Sequence, residues 1–108
     1  MTRTVHAAIP IPYEAIAGFC ERWGVVRMEL FGSVLREDFD AMRSDVDVMV
    51  TFAPGRLPGW EFFADFPDEL SAIFGRKVDV QTRHGVEEMS NATRRRHILE
   101  NSEVVYEG

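Results

Sequence analysis

The chain has 108 residues, with 18 acidic against 12 basic side chains and a net charge of −6. That length fits a single domain, 1–108, which buries roughly two-thirds of its unfolded surface and needs neither a metal nor a disulfide to fold. With 45% hydrophobic and 28% charged residues the composition is globular rather than disordered; no apolar run approaches the ~18 residues that span a bilayer, and the acidic balance disfavours direct nucleic-acid binding.

In chain order, Met1 to Pro12 lacks the continuous apolar stretch of a secretory leader. The single cysteine, Cys20, suits a reducing compartment. A cytoplasmic location is therefore expected. Residues 12–23 read as a helix: Pro12 fits a first turn, Ile16, Phe19, Cys20 and Trp23 share one face, and Gly24 is a stop signal. Val25 to Phe31 reads as a strand, broken by Gly32-Ser33, with a short helix expected around Val34 to Asp38. Asp45 to Phe52 opens with alternating acid and valine, the period-2 pattern of a strand.

Pro54 to Gly59 is a loop. Residues 60–74 form a helix with an expected apolar stripe of Phe63, Phe66, Leu70, Ile73 and Phe74, with Pro67 as a kink or new start and Gly75 as the close. On that spacing Trp60 and Phe62 fall off the stripe and suit a partner surface or loop packing. Lys77 to Gln81 reads as a third strand, 89–100 as a weaker helix and Val104 to Tyr106 as a final short strand. This alternation predicts an α/β fold, a small mixed sheet of three to four strands flanked by helices.

Three acids interrupt strands that otherwise read as buried: Asp45, Asp47 and Asp79. Asp45 and Asp47 leave the same face of their strand, with α-carbons about 7 Å apart. Val46, Val48 and Val50 turn the other way. Asp79, flanked by valines, faces away from its own neighbours. If the second and third strands are adjacent, the three carboxylates meet on one patch, where their repulsion calls for positive charge. Salt bridges from Arg36, Arg43, Arg76 or Lys77 are one answer. Mg²⁺, which takes hard oxygen ligands, is the other; two ions about 4 Å apart would suit phosphoryl or nucleotidyl transfer. A glycine also lets a phosphate approach the backbone after the first strand, and free N–H groups beyond Gly32, with the Ser33 hydroxyl, suit phosphate oxygens.

Leu30-Phe31-Gly32-Ser33-Val34-Leu35-Arg36 followed by Ser44-Asp45-Val46-Asp47-Val48-Met49-Val50 resembles the signature of minimal nucleotidyltransferases, the MNT proteins of the DNA polymerase β-like superfamily. Gly75-Arg76-Lys77-Val78-Asp79-Val80 resembles the segment that supplies their third carboxylate. Val34 through Ser44 makes eleven residues, one more than the family's usual spacing. Asp38 to Arg43 also lacks the proline common before the Ser-Asp. The extra residue falls in a loop, where it bears on how Ser33 sits relative to Asp45.

The resemblance implies a polymerase β-like fold and an enzyme: a Mg²⁺-dependent antitoxin that transfers AMP from ATP to a tyrosine hydroxyl of a HEPN ribonuclease toxin. Gly32 and Ser33 would hold the triphosphate, with Arg36 near the phosphates or orienting a carboxylate. Asp45 and Asp47, completed by Asp79, would hold the metal, and Asp79 would help remove the acceptor's proton. The alternative is an MNT-fold module that neutralises the toxin by contact with its carboxylates idle. A weaker third option is an ion-paired domain with no nucleotide role. A minimal domain has little surface to enclose a substrate, which favours a homodimer or hetero-oligomer.

Arg94-Arg95-Arg96 reads as a solvated helix face rather than a grip for RNA or an acidic partner. His6, His84 and His97 are scattered without metal-ligand spacing and read as surface residues. Cys20, on an apolar face, reads as an inert core thiol.

Overall fold

The structure is a computed structural model that describes residues 7–36, 39–40, 44–56 and 59–108, apart from the side chains of Glu61 and Phe63. His6, Glu37 and Asp38 of the expected short helix, Arg43, and the Phe63 side chain fall outside it.

The first helix, α1, runs Tyr13–Trp23 and ends at Gly24, whose φ of 75° closes the last turn by donating its N–H to the Cys20 carbonyl. It buries Ile16, Phe19 and Cys20. Strand β1 (Val25–Phe31) follows, then a single 3-10 turn, Gly32–Leu35, in place of the expected helix. Strand β2 is Val46–Phe52 and helix α2 is Glu61–Phe74, which continues through Pro67. Strand β3 is Val78–Thr82, α3 is Arg83–Glu87, α4 is Ala92–Glu100 and β4 is Glu103–Glu107.

The strands form one mixed sheet in the order β3-β2-β1-β4. β1 pairs antiparallel with both β2 and β4. β2 and β3 are parallel, a pairing that needs a crossover, and α2 supplies it. One face of the sheet carries Met28, Leu30, Val46, Val48 and Val50 into the main core, against Ile16 and Phe19 of α1 and Phe66 and Leu70 of α2. The other face carries Phe31 and Met49, covered by Val86 of α3 and Ile98 of α4 in a second, smaller cluster. Period-2 alternation thus sends the valines of β2 to the large core and leaves Asp47 on the thinly covered face.

The α2 stripe differs from the expected one. Phe62 is buried, with its ring 5.7 Å from Phe52 and 5.0 Å from Phe66. Phe66, Leu70 and Phe74 are buried and Ile73 packs against the core, as expected; Phe62 joins them at i, i+4 spacing from Phe66, because Phe52 at the end of β2 offers it an aromatic partner. Trp60 stays exposed, at 71%. Glu69 of the same helix accepts from Arg22 and, at 3.1 Å, from the Trp23 indole, which ties α2 to α1. Burial pushes the Cys20 thiol up to about 12, as an inert core thiol requires. Among the described residues no helix is long and apolar enough to cross a membrane.

Candidate active site

The site forms where β1 ends. Phe31, its last residue, pairs with Asp47, so the chain turns at Gly32 directly beside that carboxylate. Gly32 has φ of 77°, a left-handed conformation that favours glycine. A β-carbon at this position would lie far inside van der Waals contact with Asp47 Oδ2. Backbone and carboxylate therefore approach as closely as a side-chain-free residue permits. Ser33 follows in the 3-10 turn, its carbonyl accepting from Arg36 N at 2.9 Å. A turn this short carries little helix dipole, so an anion here would be held by individual N–H groups and the Ser33 hydroxyl.

The parallel register places Asp79 level with Asp47, one strand spacing of about 4.8 Å away. Asp45 lies two residues before Asp47, where Val46 N–H donates to the Lys77 carbonyl at 3.0 Å and binds the entrance of β2 to the start of β3. The three carboxylates sense one another. Burial, followed by the charges of Asp79 and Asp45, raises the Asp47 carboxyl above its usual value, and Arg94 and Arg36 work against that rise. Of the four basic residues expected to neutralise the patch, Lys77 reaches Asp45 Oδ2 at 3.7 Å, in an exposed and loose ion pair. Arg76 lies over the Phe39 ring, 5.6 Å from its centroid.

Among the described residues, no three His, Cys, Asp or Glu side chains are drawn close enough to hold an ion by themselves. Asp47 and Asp79 lie level on adjacent strands, Asp45 lies two residues before Asp47, and Asp79 is the exposed member of the three. The donor set nonetheless fits magnesium. It is all hard carboxylate oxygen, burial and then the charges of Asp79 and Asp45 raise the Asp47 carboxyl above its usual value, and Mg²⁺ is usually held by one or two carboxylates plus substrate phosphate and water.

Beside the carboxylates a cleft opens between the 3-10 turn and α4. It consists of two adjoining hollows of about 260 and 340 Å³ that share Gly32, Arg36, His97 and Asn101. The smaller also reaches Ser33, Asp47 and Arg94. All six expected site residues thus cluster at one end of the sheet, with Asp45 and Asp79 towards β3 and Gly32, Ser33 and Arg36 towards α4. Arg94, His97 and Asn101 were not expected there. Their i, i+3, i+7 spacing puts them on one side of α4 and its C-cap. Arg94 is exposed, in keeping with the solvated-face reading of the basic run, and it also lines the cleft. His97 is exposed, as expected, but it lines the cleft.

Comparison with known proteins agrees with this fold. Residues 13–105 match the nucleotidyltransferase domain family. Over 66 residues the chain is 30% identical to "Putative protein adenylyltransferase MJ1379" of Methanocaldococcus jannaschii, a match spanning 61% of this chain and 65% of that protein, just under two-thirds of its length. A solved structure described as a "putative minimal nucleotidyltransferase" superposes with a TM-score of 0.62 at 30% identity, over 83% of this chain and 85% of that one. A chain from the complex of a tri-AMPylated Shewanella oneidensis HEPN toxin with its MNT antitoxin superposes with a TM-score of 0.58 over 90% of this chain and 71% of that one. At 15% identity that likeness is one of fold. The chain belongs to the nucleotidyltransferase family, and within it to the minimal nucleotidyltransferases.

Proposed function

We propose that this protein is a Mg²⁺-dependent antitoxin that transfers AMP from ATP to a hydroxyl, a tyrosine for preference, of a HEPN ribonuclease toxin. The observation that carries this reading is the contact of Gly32 with Asp47, with Asp79 in register on the next strand. It sets an anion-binding turn against a carboxylate pair. The fold shared with a chain of an MNT–HEPN complex whose toxin is AMPylated, and the relative named as a protein adenylyltransferase, support the choice of AMP and of a toxin as acceptor.

Asp47 and Asp79, with Asp45, would hold magnesium, which when bound supplies a Lewis acid for the α-phosphate and for the departing pyrophosphate. Gly32 and Ser33 present N–H groups and a hydroxyl to the triphosphate. Asp79 is exposed at the outer strand, where an incoming protein hydroxyl has access, and it accepts the proton that the hydroxyl gives up. The acceptor oxygen bonds to the α-phosphorus as the bond to the bridging oxygen breaks, releasing pyrophosphate.

The test is incubation of labelled ATP and Mg²⁺ with the protein and the protein encoded beside it. Transfer of label by wild type and its loss in Asp45→Ala/Asp47→Ala is the expected result. Equal labelling by both removes the assigned site. Toxin neutralisation that survives loss of all three aspartates points instead to inhibition by contact.

A further inference from the structure

The basic run Arg94-Arg95-Arg96 divides three ways once α4 is folded. Arg95 turns back and donates to the Met89 carbonyl at 2.6 Å. Arg96 lines a third hollow of about 230 Å³, which borders the cleft at His97 and Asn101 but does not reach Gly32, Ser33 or Asp47. Arg94 alone of the three lines the hollow that holds Gly32, Ser33 and Asp47. Its backbone N–H is spent on the Asn91 side chain at 3.0 Å, the cap that starts the helix. Among the described residues its guanidinium makes no hydrogen bond or ion pair, and its charge is felt at Asp47.

We propose that Arg94 is a nucleotide-binding residue that grips the triphosphate from the wall opposite Gly32 and Ser33. The inference rests on the nucleotidyl-transfer reading above and extends it to a residue outside the Gly-Ser and Asp-x-Asp motifs. The charge logic is direct. A tetra-anionic nucleotide entering beside three carboxylates needs more cation than the metal supplies. Neutral donors on the 3-10 turn satisfy lone pairs without cancelling charge. A guanidinium offers a planar fork that meets two phosphate oxygens at once. Arg94 offsets the charge of Asp47 without pairing with it; the phosphates of a bound nucleotide would give its guanidinium a direct partner. Arg94 is the third residue of a helix whose N-cap, Asn91, accepts from the Arg94 N–H and which packs through Ile98, so its backbone is fixed beside the cleft that its side chain lines.

The experiment is titration calorimetry of wild type, Arg94→Ala and Arg94→Lys with ATP, GTP and CTP in the presence of Mg²⁺, with thermal unfolding of each ligand-free protein measured alongside. Arg94→Ala removes no backbone contact, and its ligand-free unfolding should match wild type; Arg94→Gln, which keeps the length and helix preference of the side chain, replaces it if it does not. The expected result is a loss of affinity of about ten- to a hundredfold in Arg94→Ala, the range for hydrogen bonds to a charged group, equal for the three nucleotides because the phosphates are common to them. Arg94→Lys should fall between, keeping charge without the fork. Arg94→Ala and Arg94→Gln that bind ATP within twofold of wild type overturn the proposal, as does a loss confined to one base. Wild type that binds no nucleotide overturns the transfer reading and this inference with it.

Discussion

Gly32→Ala probes the closest contact in the site. Its penalty has two separable parts. Holding a non-glycine residue at φ 77° costs about 1–2 kcal/mol. The new β-carbon would also collide with the carboxylate oxygen of Asp47, with Asp47 Cγ at 3.3 Å and Cβ at 3.6 Å behind it. Because the collision falls on the far end of a rotatable side chain, the molecule relieves it by swinging the carboxylate aside, at about 1–3 kcal/mol for an overpacked site. The expected loss is about 2–5 kcal/mol in urea unfolding. Gly75→Ala is the control: its φ is 71°, yet nothing lies within 4 Å of the added carbon, so it should show the conformational part alone. In an Asp47→Ala background the oxygen is gone, and Gly32→Ala should then cost no more than Gly75→Ala. Swinging Asp47 by about 1 Å should also lower AMP transfer by roughly two orders of magnitude. Equal stability losses for Gly32→Ala and Gly75→Ala in the wild-type background would refute the close packing of turn and carboxylate.

Two further outcomes are expected. Asp47 has a raised folded-state pKa, owing first to burial and then to Asp79 and Asp45, so its ionised form opposes folding: the stability of its protonated form is complete below the unfolded value and is lost as pH rises through the folded one. Without metal, Asp47→Asn should therefore be more stable than wild type at pH 7, with the gain shrinking as pH falls towards 4; chemical denaturation in chelator at several pH values measures it. Glu29 is the one buried charged residue among those described. It accepts from Arg83 at 3.0 Å and from Ser102 at 2.7 Å, and Glu29→Ala should cost about 1–3 kcal/mol by leaving those donors without an acceptor.

The sequence shows the α/β class and the position of the acids because both rest on short-range alternation. Asp-Val-Asp-Val can only be a strand with one wet face, and Gly32 can only be a break. Adjacency of β2 and β3 was a condition rather than a reading, since pairing between strands about thirty residues apart depends on how α2 packs. Helix α3 escaped notice because its five residues carry one buried apolar side chain, Val86, and its start is marked only by the Thr82 hydroxyl that accepts from Gly85 N. The cleft-lining side of α4 was hidden for a related reason. Ile98 is its one buried residue, so no apolar stripe says which way Arg94, His97 and Asn101 turn. Phe62 was misplaced because its burial depends on the ring of Phe52 at the end of β2, a tertiary contact that helical spacing does not show.

Asp79 rides on an outer strand, β3, with a single neighbour in the sheet, fastened at its start where Val78 N–H donates to Ser71 Oγ of α2. Edge strands peel at lower free energy than the elements between them. Warming should therefore separate Asp79 from Asp47 while the hydrophobic interior is still intact. A site that needs both carboxylates would then fail at a lower temperature than the fold, and a partner docked along β3 would close that gap.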